Sequence, residues 1–117
     1  MTERQINIRE PYLKLIQDGT KTIEVRVGYP SMKKIAAGQV LVFQSGDDTC
    51  RTRVVKVAEY PSFEAMADAE DTAAIGGDMN RDELLAACRD IYPPEKEALG
   101  VLAIHLHRLT GAGSVER

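Results

Sequence analysis

Apolar and polar positions alternate along several short stretches of the chain, and each stretch ends at a turn signal. "QINIRE" places Ile6 and Ile8 on one face and reads as a first strand. "REPYLKLIQDG" then reads as a helix: Pro11 suits its first turn, Tyr12, Leu15 and Ile16 form the apolar stripe, and Gly19 falls just past its end. "KTIEVRVG" alternates strictly, with Ile23, Val25 and Val27 on one face and Thr22, Glu24 and Arg26 on the other. "YPSMKKIAAG" is a turn or short helix. "QVLVFQSGDD" and "TCRTRVVKVAEY" are strands joined as a hairpin around Ser45, Gly46, Asp47 and Asp48.

After Tyr60 and Pro61 the period lengthens. "SFEAMADAEDTAAI" and "NRDELLAACRDIY" read as helices, the second opened by Asn80 as cap with Glu83 three residues on. "PPEKEALG" is a loop or a brief helical turn. "VLAIHLHRL" is the last strand, setting Val101, Ala103, His105 and His107 against Leu102, Ile104 and Leu106. The expected class is α+β: a small mixed β-barrel of about five strands with helices packed on it. So small a barrel is filled by side chains, which leaves a cleft between barrel and helices as the place for a ligand.

The 117 residues are enough for one core and too few for two, and no linker divides them. Residues 1–109 are read as the domain and 110–117, "TGAGSVER" with the preceding strand removed, as a flexible tail. The net charge of −3 gives no global field to recruit nucleic acid, but it conceals an asymmetry. Residues 1–56 hold 10 Lys/Arg against 6 Asp/Glu, whereas residues 57–117 hold 5 against 12. Any basic surface therefore lies in the first half. Cys50 and Cys88 lack CxxC company and read as reduced thiols, which together with a charged, non-apolar N-terminus points to the cytoplasm. No apolar run is long enough for a membrane span. His105 and His107 share a strand face, but no second cluster joins them, so neither a metal nor a cofactor is expected.

The candidate chemistry concentrates in "DGTKTIEVRVG". Spacing alone leaves two readings of Glu24 and Arg26: a solvated ion pair on a strand surface, or the charged wall of a cleft that Lys21 enters from the turn after Gly19. In the second reading Lys21 and Arg26 are ligands for phosphate or carbonyl oxygens, and Glu24 is a base or the acceptor that orients them. Arg9, Lys33, Lys34, Arg51 and Arg53 extend a basic path. Tyr92, before Pro93 and Pro94, is either a stacking platform or a residue closing the last helix, and Tyr12 shares that ambiguity. Ser45 either offers a hydroxyl to ligand or serves the turn.

"GTKTIEVR", Gly19 to Arg26, matches the GxKxxExR motif of the ASCH domain, of the PUA-like superfamily. "INIREPYLKLIQDGTKTIEVRV" resembles that family's opening strand, helix and motif strand, and "GQVLVFQSG", "VVKVAEYPSFEAM" and "IYPPEKEALGVLAIHL" resemble its later blocks in order. The resemblance implies a PUA-like barrel with the motif in its cleft, binding single-stranded RNA or a modified nucleoside. Lys21, Glu24 and Arg26 would form the site, with Gly19 permitting the turn.

Some relatives are enzymes, either ribonucleases on single-stranded RNA or amidohydrolases that deacetylate N4-acetylcytidine with a Lys, a Thr and a Glu. The resemblance therefore also carries a hydrolase alternative, with Lys21 and Glu24 as the catalytic acid–base pair. In the amidohydrolases the Thr stands three residues after the Lys, where this chain has Glu24; Thr22 is on the same strand face but not at the matching position. A third reading, a small-molecule sensor or protein-interaction module with an architectural ion pair, fits the same residues.

Overall fold

In the computed structural model of the chain, which describes residues 3–109, five strands form one sheet in the order β1–β3–β4–β5–β2. The strands are β1 (Glu3–Asn7), β2 (Ile23–Val27), β3 (Val40–Ser45), β4 (Asp48–Tyr60) and β5 (Val101–Arg108). β1 and β3 run parallel, and every other neighbouring pair is antiparallel. The sheet curls into a half-barrel, with β1 and β2 as its two edges. The expected tail, 110–117, lies outside the described residues.

Local chemistry explains most of the elements. β3 and β4 are joined by a two-residue turn whose first position, Gly46, has φ +60°, a conformation that glycine adopts without strain. β4 carries a register shift between Val54 and Lys56, so Val55 is extruded and exposed while the long strand bends. Helix α1 (Glu10–Gln17) has Pro11 in its first turn, as expected, but its most buried residues are Leu13 and Ile16; Tyr12 and Leu15 flank them.

The segment read as one helix after Tyr60 is two, α2 (Phe63–Ala69) and α3 (Thr72–Gly76). Ser62 caps the first, and Asp71 accepts from the Ala73 N–H to start the second, so the break follows from a second capping residue in mid-segment. α4 (Arg81–Ile91) opens with the expected capping box, Glu83 N–H donating to Asn80 and Asn80 N–H to Glu83 at 2.8 and 2.9 Å. A short α5 (Pro94–Glu97) leads into β5.

The sheet buries both faces. Ile6, Leu41, Phe43 and Ile104 pack with Leu13 and Ile16 of α1 on one side. Ile23, Val27, Val101 and Ala103 pack with Phe63, Met66, Leu84 and Leu85 of the later helices on the other. β5 alternates between these two cores, which is why its apolar residues run almost without interruption. Cys50 and Cys88 are buried and free, one in each core. No helix of the described residues is long and apolar enough to cross a membrane.

Candidate functional site

The turn after α1 sets up the site. Gly19 takes φ +87°, reversing the chain so that the Lys21 N–H donates back to the Leu15 carbonyl at 2.9 Å. The Lys21 side chain is thereby directed inward. It is only 4% exposed, and Glu24 only 6%. The charged face of β2 is therefore an interior wall, and the reading of a solvated surface pair does not apply.

Three oxygens surround Lys21 Nζ, one for each of its protons. The carbonyls of Ile23 and Ile75 accept at 2.7 and 2.8 Å, and Glu24 Oε1 lies at 3.1 Å. The other carboxylate oxygen, Oε2, accepts from Arg26 Nε at 2.5 Å. Arg26 Nη2 donates to the Asn7 carbonyl at 2.8 Å, tying the β2 edge to the end of β1. Among the described residues, Arg26 Nη1 has no protein partner. Burial pushes the Glu24 carboxyl up, but the charges of Lys21 and Arg26 outweigh it and hold the group below the usual glutamate range.

This charged wall faces a cavity of about 420 Å³ between the β1–α1 connection, β2, α3 and α4. Its volume falls within the ~300–1,000 Å³ typical of small-molecule sites. Arg9 and Tyr12 border it on one side, Lys21, Glu24, Val25 and Arg26 form its wall, and Ile75, Leu84, Cys88 and Tyr92 close the other side. The Tyr12 ring centroid is 5.8 Å from Lys21 Nζ. Tyr92 stacks on Phe63 with centroids 6.1 Å apart, and burial raises its phenol above the ordinary value. Cys88 is pushed up to about 11, chiefly by burial, so its thiol is a wall group and not a ready nucleophile.

Of the residues singled out in the sequence, the fold brings Lys21, Glu24, Arg26, Arg9, Tyr12 and Tyr92 to this cleft. It does not bring Arg51, Arg53 or Ser45. Arg51 pairs with Glu3, Arg53 donates to the Gly38 carbonyl at 3.4 Å, and Ser45 ends β3 at the hairpin. The Ile75 carbonyl and Asn7 were not legible as site groups: each contributes a backbone oxygen, which side-chain chemistry does not signal. His105 lies elsewhere, its Nε2 2.9 Å from Glu70 Oε1 without an aligned hydrogen bond, and the Tyr60 hydroxyl donates to Glu70 Oε2 at 2.5 Å. Among the described residues no three His, Cys, Asp or Glu side chains gather as a metal site.

A curled five-stranded sheet with a buried Lys–Glu–Arg wall over a helix-covered cleft defines an α+β domain of PUA-like type. The ASCH domain family model matches residues 6–110, and the chain belongs to that family. Among solved structures it is similar to the hypothetical protein PH0355, at 26% identity with a TM-score of 0.84, covering 92% of this chain and 100% of that one. It is also similar to protein PF0455 from Pyrococcus furiosus, at 30% identity and TM-score 0.75, covering 92% and 98% of the two chains. An ASCH domain from Lactobacillus crispatus shares the fold, at 16% identity and TM-score 0.68, covering 92% and 79%. No curated protein matches the chain.

Proposed function

We propose that the cleft binds single-stranded RNA or a modified nucleoside, a narrower reading than the RNA binding generally thought of the ASCH family. The observation that carries this reading is the buried Lys21–Glu24–Arg26 chain, which holds a guanidinium against the cavity with one terminal nitrogen still available to a ligand. Arg26 is locked through Nε and Nη2, so its remaining donors present a fixed array to a phosphate or carbonyl oxygen. Arg9, exposed on the cleft border, adds a second cation. The small aromatic complement of 5% and the net charge of −3 favour a footprint of one or a few nucleotides over a long strand track.

In this reading Lys21 is a positioning residue. Each of its protons already has an oxygen partner, so it neutralises Glu24 and fixes β2 against the Ile75 turn. The hydrolase alternative, with Lys21 and Glu24 as acid and base, requires substrate entry to break at least one of these contacts. The test is fluorescence anisotropy of a short single-stranded RNA at low salt, with product analysis alongside, comparing wild type with Arg26→Ala. Retention of intact RNA that weakens with salt and in the variant supports binding. RNA shortened by wild type alone establishes a hydrolase, and no interaction in any condition overturns the nucleic-acid reading.

A further inference from the structure

The outer edge of β2 runs along the cleft. In the β2–β5 ladder the Leu106 N–H donates to the Thr22 carbonyl and the Gly28 N–H to the Gly100 carbonyl, at 2.8 and 2.9 Å. These bonds fix the alternation between them: Glu24 and Arg26 exchange bonds with Ile104 and Leu102, while Ile23, Val25 and Val27 turn their peptide groups away from β5. Among the described residues β2 has no strand on that outer side. The Ile23 carbonyl is engaged there by Lys21 Nζ, and the Val27 carbonyl accepts from the Tyr29 N–H at 2.9 Å. The Val27 N–H faces the Tyr92 hydroxyl. Val25 lies between them on the cavity wall, and among the described residues its N–H and C=O have no partner.

We propose that Val25 reads a nucleobase: its backbone N–H and C=O pair with the adjacent acceptor and donor on the Watson–Crick edge of one base inserted into the cleft. This deepens the nucleic-acid reading above and rests on it. One donor and one acceptor of a single residue on an open edge point the same way, and the amide or amidine edge of a base is their complement. An unpaired peptide group facing a cavity lined in part by Leu84, Cys88 and Tyr92 is costly to leave dry, and a base meets it with a polar edge and meets those side chains with apolar faces. An added peptide strand would need alternate residues of the edge to be free. Among the described residues the Ile23 carbonyl is taken by Lys21 and the Val27 groups by Tyr29 and Tyr92, which leaves Val25 as the one outward residue with both its donor and its acceptor open, beside the Ile23 N–H alone, and this suits a base better than a strand. Arg26 and Arg9 then meet the sugar-phosphate.

The experiment is a ¹⁵N–¹H NMR titration of the wild-type protein with uridine, guanosine, 3-methyluridine and 1-methylguanosine, repeated with uridine 5′-monophosphate and a uridine hexanucleotide. The Val25 amide is expected to be among the strongest shifts. Methylation of the base edge is expected to weaken binding about tenfold or more, as a lost buried hydrogen bond would. The monophosphate and hexanucleotide arms distinguish a free nucleotide from a strand. Val25→Pro removes the outward N–H and leaves the ladder bonds to β5 in place, so it should bind as poorly as the methylated bases are bound. The comparison of methylated bases stands even if that variant does not fold.

Equal affinity for methylated and unmethylated bases, with RNA still bound, overturns the Val25 role and leaves the RNA reading standing. Absence of nucleoside and RNA binding altogether overturns both. A Val/Thr-rich hexapeptide that shifts Val25 where nucleosides do not overturns the proposal in favour of strand addition.

Discussion

Lys21 Nζ stands 3.1 Å from Glu24 Oε1, with both side chains under a tenth exposed, and the two are only three residues apart in the chain. A pair this close in sequence and this buried exists because Gly19 folds Lys21 back beneath α1 while β2 carries Glu24 inward. The pair is both the anchor of the β2 edge and the support of the Arg26 guanidinium.

Removing the carboxylate leaves two cations facing each other in the interior. Glu24→Gln is expected to destabilise the domain by about 3–5 kcal/mol, the usual consequence of leaving a buried charge without its partner. Lys21→Met should also be strongly destabilising, and the double variant should be less affected than the sum of the two. Urea unfolding of the three variants measures this; simple additivity would mean that the pair contributes no coupling.

Acid should reach the same pair. Glu24 has its pKa lowered on folding from the ordinary 4.5, so the folded state holds fewer protons than the unfolded state between the two values. Its contribution is fully present above 4.5 and is lost as pH falls through the lower, folded value. Wild-type stability should therefore decline in this window more steeply than that of Glu24→Gln, read as thermal midpoints from pH 6 downward. Parallel pH profiles would remove Glu24 as the cause.

The arginines should separate by place. Arg9 borders the cleft, whereas Arg51 is held by Glu3 and Arg53 lies on β4 away from it. Arg9→Ala is expected to weaken single-stranded RNA binding severalfold and to make the logarithmic salt slope shallower by about 0.7, one phosphate contact. Arg51→Ala and Arg53→Ala should leave affinity and slope unchanged. A loss at Arg53 equal to that at Arg9 would place the RNA path across the sheet face.

Tyr60 offers a check outside the cleft. Its phenol is pushed up to about 12, first by its hydrogen bond to Glu70, then by burial and by the Glu70 charge. Alkaline difference absorbance should show Tyr60 titrating late, beside the raised Tyr92, and Glu70→Gln should return Tyr60 alone toward the ordinary 10.0. A Tyr60 that titrates normally in wild type would mean that this contact does not persist in solution.

The order of the elements was legible because local rules governed it. Strict alternation marked β2, a bounded run of mostly apolar residues marked β5, the Asn80–Glu83 spacing marked the start of α4, and Gly46 marked the β3–β4 turn. The break between α2 and α3 was obscured by continuous helical composition, although Asp71 carried the capping signal. The GxKxxExR spacing singled out Lys21, Glu24 and Arg26, yet whether that face met water or a cavity depended on what packed against it.

That decision belonged to the tertiary structure. Alternation fixes which side chains share a strand face, because the pleat has a period of two, but it says nothing of what lies opposite. Only the docking of α3 brings the Ile75 carbonyl, 54 residues away, onto Lys21, and only the end of β1 supplies the Asn7 oxygen to Arg26. The open peptide groups of Val25 depend on strand order, which is non-local. The chain by itself determined the elements and the charges they carry; long-range packing decided which of those charges are buried, and which backbone groups remain for a ligand.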